Sequence, residues 1–142
     1  MNNKILIAED ENNIRRLIAS YLLREGFQVV EAVDGQQALE QFRSQEGIIL
    51  VMLDVMMPGR DGYEVCREIR AKSQVPILIL TAKDTEHDEI TGFSCGADEF
   101  ISKPFSPAVL VTRIKNLLKR TSANDLNDLS VERLKIFYRE RG

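Results

Sequence analysis

Five polar residues of the kinds that handle metal ions and phosphate stand at the ends of short apolar stretches. They comprise three carboxylates, one hydroxyl and one ammonium group: Glu9, Asp10, Asp54, Thr81 and Lys103. Crowded carboxylates repel one another and raise one another's pKa unless a cation neutralises them. Mg²⁺ is the cation that fits best, because it takes oxygen ligands and keeps positions open for water and phosphate oxygens. If the five residues meet, the sequence predicts a Mg²⁺ site at which Lys103 and Thr81 contact a phosphoryl group.

Strand and helix patterns alternate along the chain in an order that brings these residues together. Five segments are predicted to be strands, at residues 4–8, 29–30, 48–53, 77–80 and 99–102. The residues between them carry apolar positions at helical spacing, and further helices are predicted over about residues 85–95 and around residues 110–118. Strict alternation predicts an α/β fold whose parallel sheet carries helices on both faces. Ligands bind beyond the carboxyl ends of such strands, so the polar residues are expected to converge on one edge.

Each of these residues also has an ordinary structural interpretation when it is taken alone. Glu9 and Asp10 suit a helix N-terminus, where carboxylates stabilise the macrodipole. Asp54 suits a turn, and Thr81 suits a strand end or a helix cap. Their joint placement at one sheet edge is what indicates chemistry.

Composition limits the class of protein. The chain has 142 residues, of which 44% are hydrophobic and 29% charged, as expected for one compact domain plus a tail. The apolar stretch before the first carboxylate is too short for a signal peptide, and no run reaches the length of a membrane span. Cys66 and Cys95 lack metal-binding spacing, so we expect reduced thiols in a cytoplasmic protein.

Charge is distributed unevenly along the chain. The formal net charge is −3, with −7 in residues 1–112 and +4 from Arg113 onward. Non-specific nucleic-acid binding depends on clustered Lys and Arg side chains that contact phosphates. The body of the chain is therefore a poor candidate for it, and cations or proteins are the expected partners.

Four motifs, in this order and spacing, resemble the receiver domains of bacterial two-component response regulators. They are ILIAEDE, LDVMMPGRDG around Asp54, LTAKD with Thr81, and GADEFISKPF with Phe100, Lys103 and Pro104. The resemblance covers about residues 3–121. It implies a flavodoxin-like, doubly wound (βα)5 fold with a five-stranded parallel sheet in the order 2-1-3-4-5.

The resemblance also implies a phosphorylation-activated regulator rather than a turnover enzyme. Asp54 would accept a phosphoryl group from the phosphohistidine of a sensor histidine kinase. Glu9, Asp10, Asp54 and the main-chain carbonyl of Met56 would hold Mg²⁺, with Lys103 and Thr81 assisting. Such a transfer depends mostly on positioning and electrostatic stabilisation, which these groups supply.

Two structural details follow from the same resemblance. Thr81 and Phe100 would form the switch that couples phosphorylation to shape, by packing alone, since Phe100 lacks the hydroxyl of a tyrosine. The peptide bond between Lys103 and Pro104 would be cis and would direct the ammonium group into the site.

The segment KPFSPAVLVTRIKNLLKR resembles the OmpR/PhoB-like branch, which joins its receiver to a winged-helix DNA-binding domain. The predicted division is a receiver over residues 1–121, a linker over 122–128 and the start of a truncated effector domain over 129–142. On this interpretation DNA is bound, and transcription regulated, only through the missing domain. The last residues also suit a frayed amphipathic helix.

Receivers of that branch pair through the fourth helix, fifth strand and fifth helix. The charged residues that suit such a homodimer are Asp98, Glu99, Arg113 and Arg120. Glu89 and Val109 stand where the branch usually has a basic and an acidic residue, so we expect a weaker or altered dimer.

Three other function classes are alternatives to this interpretation. A phosphohydrolase with an Asp nucleophile would want a second Asp at the position of Met56. A nucleotide-binding domain would need a glycine-rich first loop, where this chain has EDENN. A pseudo-receiver that binds partners without phosphorylation is the remaining alternative, and acetyl phosphate with Mg²⁺ distinguishes it from a receiver.

Overall fold

The computed structural model of the chain describes the backbone of residues 3–81 and 94–129, and the side chains of residues 3–81 and 94–120. The described residues form five strands and four helices. In chain order these are β1 (Lys4–Ala8), α1 (Asn12–Arg24), β2 (Gln28–Ala32), α2 (Gly35–Ser44), β3 (Ile48–Asp54), α3 (Gly62–Arg70), β4 (Ile77–Thr81), β5 (Glu99–Ser102) and α4 (Pro107–Leu129).

The five strands form one parallel sheet in the order β2-β1-β3-β4-β5, which confirms the predicted flavodoxin-like topology. The strands end almost in step. Ala8 lies opposite Leu53, so the residues that follow them, Glu9 and Asp54, emerge side by side. Thr81 lies opposite Ser102 at the same end. The topology thus places the carboxyl ends of β1, β3, β4 and β5 along one edge.

Two apolar layers cover the faces of the sheet. One contains side chains of α2 and α3, and the other contains side chains of α1 and α4. β3 serves both, because Val51 and Leu53 join the first layer while Leu50 and Met52 join the second. All four are 0% exposed, and full burial of such a side chain stabilises a fold by roughly 1.5–3 kcal/mol. The central strand is therefore fixed on both faces.

Local signals set the helix boundaries next to the site. Asp34 and Asp61 are N-caps whose carboxylates accept hydrogen bonds from the amides of Gln37 and Glu64 at 2.8 and 2.9 Å. Such caps typically contribute about 1 kcal/mol. Gly26, with φ of 94°, follows the end of α1 and turns the chain toward β2.

The last helix is longer than its apolar pattern predicted. α4 continues to Leu129, so the predicted linker over residues 122–128 has a helical backbone. No Gly or Pro occurs between Pro107 and Gly142 to end it earlier. The predicted helix over residues 85–95 lies almost entirely outside the described residues, as does most of the predicted effector segment over 129–142. The division into domains stays a prediction.

Within the described ranges, no helix combines the length and apolar character needed to cross a membrane.

Candidate functional site

Three carboxylates converge at the carboxyl edge of the sheet. Glu9, Asp10 and Asp54 each offer an oxygen, and these atoms all lie within 4.8 Å of one another. Glu9 and Asp54 are 1% and 2% exposed, whereas Asp10 is open to solvent. The cluster follows from the sheet order, because β1 and β3 are neighbours and end at the same level. The sequence prediction that these residues meet is confirmed.

Lys103, which directly follows β5, also contacts the carboxylate cluster. Its Nζ lies 3.0 Å from Oε1 of Glu9 and 3.0 Å from Oδ1 of Asp54. The Lys103 amide donates to the carbonyl oxygen of Thr81 at 2.7 Å, which extends the β4–β5 pairing to the edge. The Lys103–Pro104 peptide bond is cis, the isomer that the resemblance implied.

Burial and charge shift two of these ionisations. Burial raises the pKa of Asp54 to about 6, and the nearby charges of Glu9 and Asp10 add to the rise, while the hydrogen bond from Lys103 opposes it. Burial lowers the pKa of Lys103, but its hydrogen bonds to Glu9 and Asp54 outweigh that effect, so the pKa is raised overall. An ammonium group is therefore held between two buried carboxylates, one of which is costly to ionise.

The donor set suits a hard divalent cation. The three carboxylates border an open depression that Glu11, Asn12, Met56 and Lys103 also line. All of the clustered donors are oxygens, few in number, with open space for water, which is the environment that Mg²⁺ prefers. The residues present therefore fit the predicted ion. The Met56 side chain is 65% exposed at this rim, and its carbonyl as a metal ligand stays a prediction.

Glu9 is held in place from several directions. The amide of Glu11 donates to its Oε2 at 3.1 Å, and Nη1 of Arg15 donates to its main-chain oxygen at 2.9 Å. Arg15 is itself only 5% exposed, and its Nε lies 2.8 Å from Oε1 of Glu31 on β2. In a third contact, Nη2 of Arg15 donates to Oδ1 of Asn12 at 2.6 Å. Arg15 is not among the residues that the sequence pattern predicted for the site, although a basic residue beside the apolar stripe of α1 could have indicated it.

The two predicted switch residues lie on neighbouring strands. Thr81 ends β4 and is 2% exposed. Phe100 lies on β5 opposite Ile79 and packs, half-buried, against the apolar layer under α2 and α3. Asp54 pairs with Leu80, which places Thr81 one residue beyond it along the edge. Their action as a switch stays a prediction.

Three of the four residues predicted to form a homodimer make ion pairs within the chain. Asp98 pairs with Arg70 at 2.7 Å, and Arg113 approaches Glu99 at 3.3 Å. Arg120 is exposed. Val109 is 47% exposed, and Glu89 lies outside the described residues. A dimer through this surface would have to compete with these intrachain pairs, and the interface stays a prediction.

Comparison with known proteins assigns a family to this arrangement. The model of the response regulator receiver domain matches residues 5–115. The transcriptional regulatory protein ResD of Bacillus subtilis is 48% identical over 119 residues, covering 84% of this chain and 49% of that protein. The transcriptional regulatory protein SrrA of Staphylococcus aureus is 46% identical over 123 residues, covering 87% of this chain and 51% of that protein. The chain thus spans about half the length of these curated relatives.

Solved structures of response regulators share the fold of this chain. The receiver domain of the Francisella response regulator 1452 superposes with a TM-score of 0.79 at 32% identity, covering 84% of this chain and 99% of its own. DrrB, an OmpR/PhoB homologue from Thermotoga maritima, gives a TM-score of 0.77 at 31% identity, covering 85% and 54%. From the family match, the two bacterial relatives and these structures, it follows that the chain belongs to the response regulator receiver domain family.

Proposed function

We propose that Asp54 accepts a phosphoryl group from the phosphohistidine of a sensor histidine kinase. The observation that carries the proposal is the Lys103 ammonium, 3.0 Å from both Glu9 and Asp54, beside an open depression on the sheet edge. In the transfer, the phosphorus–nitrogen bond to the kinase histidine breaks and a phosphorus–oxygen bond to Asp54 forms. Asp54 is thus a phosphoacceptor that assists its own phosphorylation and its slow dephosphorylation.

The surrounding side chains contribute charge and position rather than covalent chemistry. Glu9, Asp10, Asp54 and the carbonyl of Met56 would hold Mg²⁺, which supplies positive charge to the equatorial oxygens of the phosphoryl group when it is bound. Lys103 would supply a second positive charge to the same oxygens, since its ammonium group already lies 3.0 Å from Asp54. The Thr81 hydroxyl donates a hydrogen bond to the transferred group. Because the transition state is loose, such preset positioning supplies most of the catalysis.

Phosphorylation would then alter the surface that an effector contacts. Thr81 moves toward the phosphoryl group and Phe100 turns into the space that it leaves, so the change begins at β4 and β5. The effector is proposed to be a winged-helix DNA-binding domain that controls transcription. The relatives ResD and SrrA are transcriptional regulatory proteins and DrrB is an OmpR/PhoB homologue, which supports this proposal. We place the protein in the cytoplasm, with a phosphorylation-promoted homodimer as its active form.

Acetyl phosphate with Mg²⁺ tests the phosphoacceptor directly, and intact-mass spectrometry reads out the product. The wild type is expected to gain one group of about 80 Da, the mass that one phosphorylation adds. Asp54→Asn is expected to gain none, while the matched variant Asp61→Asn, at a helix cap, labels like the wild type. Wild-type labelling kinetics in Asp54→Asn would refute the site, and absence of label in the wild type would favour a pseudo-receiver.

A further inference from the structure

Two cysteines lie side by side in the core, outside the carboxylate site. Cys66 on α3 is 0% exposed and Cys95, which precedes Gly96, is 3% exposed. The Cys66 Sγ donates to the main-chain oxygen of Cys95 at 3.4 Å. Neither is part of a disulfide. Two cysteines 29 positions apart in sequence thus contact each other in the fold.

We propose that Cys66 and Cys95 form a reversible intramolecular disulfide when the protein encounters a hydroperoxide. The inference does not depend on phosphorylation of Asp54. It rests on the juxtaposition of two buried cysteines that are in contact and are not joined by a disulfide.

The reaction balances with hydrogen peroxide as the oxidant. In the first step the Cys95 sulfur attacks the peroxide, a sulfur–oxygen bond forms, the oxygen–oxygen bond breaks, and hydroxide leaves and takes up a proton as water. In the second step the Cys66 sulfur attacks the sulfenic sulfur and displaces its hydroxyl, which leaves as a second water with the Cys66 proton. The two thiols lose two electrons and two protons, and the peroxide is reduced to water.

The environments of the two sulfurs assign these roles. The hydrogen bond with Cys66 lowers the pKa of Cys95 to about 7, with the charge of Arg67 contributing. The same hydrogen bond and burial raise the pKa of Cys66. Since the thiolate is the nucleophile, Cys95 attacks first and Cys66 resolves.

The fold favours the internal bond over its competitors. Arg70 of α3 already holds the segment after Cys95, through Nε to the Gly96 oxygen at 3.0 Å and Nη2 to Asp98 at 2.7 Å. The two backbones are therefore kept together before any bond forms. Burial excludes bulky thiols and a second chain, whereas hydrogen peroxide is close to water in size. The disulfide would link α3 covalently to the segment that precedes β5.

The test is oxidation of the full, reduced chain with hydrogen peroxide in EDTA, followed by unfolding, alkylation with iodoacetamide and intact-mass spectrometry. The wild type is expected to lose about 2 Da, the mass of two hydrogens, and both alkylation sites, with dithiothreitol restoring them. Peptide mapping is expected to find Cys66 and Cys95 in one linked species. Dimedone, present while the peroxide-treated chain is unfolded, is expected to trap a sulfenic acid in Cys66→Ser but not in Cys95→Ser.

Three results would overturn the proposal. In the first, the peroxide-treated wild type keeps both alkylatable thiols under conditions that fully oxidise dithiothreitol. In the second, it gains oxygen without the cross-link. In the third, the disulfide joins two chains. Peptide mapping of the wild type decides these outcomes even if a serine variant fails to fold.

Discussion

Replacing Asp54 by asparagine is expected to raise the free energy of unfolding of the metal-free protein. The pKa of Asp54 rises from its ordinary 3.8 to about 6 in the fold, and a difference of one in pKa corresponds to about 1.4 kcal/mol. The ionised carboxylate therefore destabilises the folded state by about 3 kcal/mol at neutral pH. Asparagine removes that charge but weakens the contact with Lys103, so we expect a net gain of about 1–3 kcal/mol.

The sign of the pH dependence follows from the raised pKa. Below pH 3.8 the Asp54 carboxyl is protonated in both the folded and the unfolded protein, and the variant has no advantage. Between pH 3.8 and about 6 the unfolded state releases its proton first, so the wild type loses stability as the pH rises. Above that range the difference between wild type and Asp54→Asn is constant.

Urea unfolding followed by far-UV circular dichroism measures this difference, since the chain has no Trp. The experiment is run in EDTA at pH 4.5 and at pH 7.5. Asp61→Asn is the matched control, because asparagine caps a helix as well as aspartate does and little change is expected. An Asp54→Asn variant that is no more stable than the wild type at pH 7.5 would refute the reasoning. A gain of equal size at both pH values would assign the effect to packing.

Three further outcomes are expected. Excess EDTA, or Asp10→Ala, should abolish labelling by acetyl phosphate, and Mg²⁺ should raise the melting temperature of the wild type but not of Asp10→Ala; unchanged labelling would contradict the metal site. Gly62→Ala should lower the free energy of unfolding by about 1–3 kcal/mol in urea titrations, because a Cβ there would lie 2.4 Å from the main-chain oxygen of Asp54. A stability equal to wild type would disprove that clash. Sedimentation with an acyl-phosphate mimic should show a dimer that Arg113→Glu weakens, because the change reverses a charge proposed to pair across the interface; a dimer insensitive to the change would exclude this surface.

Most of the sheet and of the site could be predicted because both depend on local pattern and topology. Residues 4–8 and 99–102 coincide with β1 and β5, since apolar runs that end in polar residues define buried strands. Once the strands are parallel, their last residues meet at one edge, whatever the details of packing. The ion pair between Glu9 and Lys103 forms at this edge although 94 positions separate the two residues in sequence.

The remaining features depend on contacts that no local pattern encodes. Arg15 is buried because Glu31, Asn12 and the Glu9 carbonyl supply its partners, and these come from separate parts of the chain. The helical backbone over residues 121–129 was missed because its polar sequence resembles a linker. The hydrogen bonds that Asp98 accepts from Arg70 and from the amide of Ile77 were also not predicted, and its place in a dimer interface stays a prediction.

The contacts of Arg15 connect the phosphoacceptor site to the outermost strand of the sheet. β2 is an edge strand, and its Glu31 reaches the Glu9 backbone through a single guanidinium group. Whatever pulls Glu31 outward, such as another molecule adding a strand to this edge, withdraws a charge partner from Arg15 and loosens the turn that carries the acidic pair. A change at β2 could thus alter how the site binds a metal ion and a phosphoryl group, although β2 itself contributes no residue to the three-carboxylate cluster.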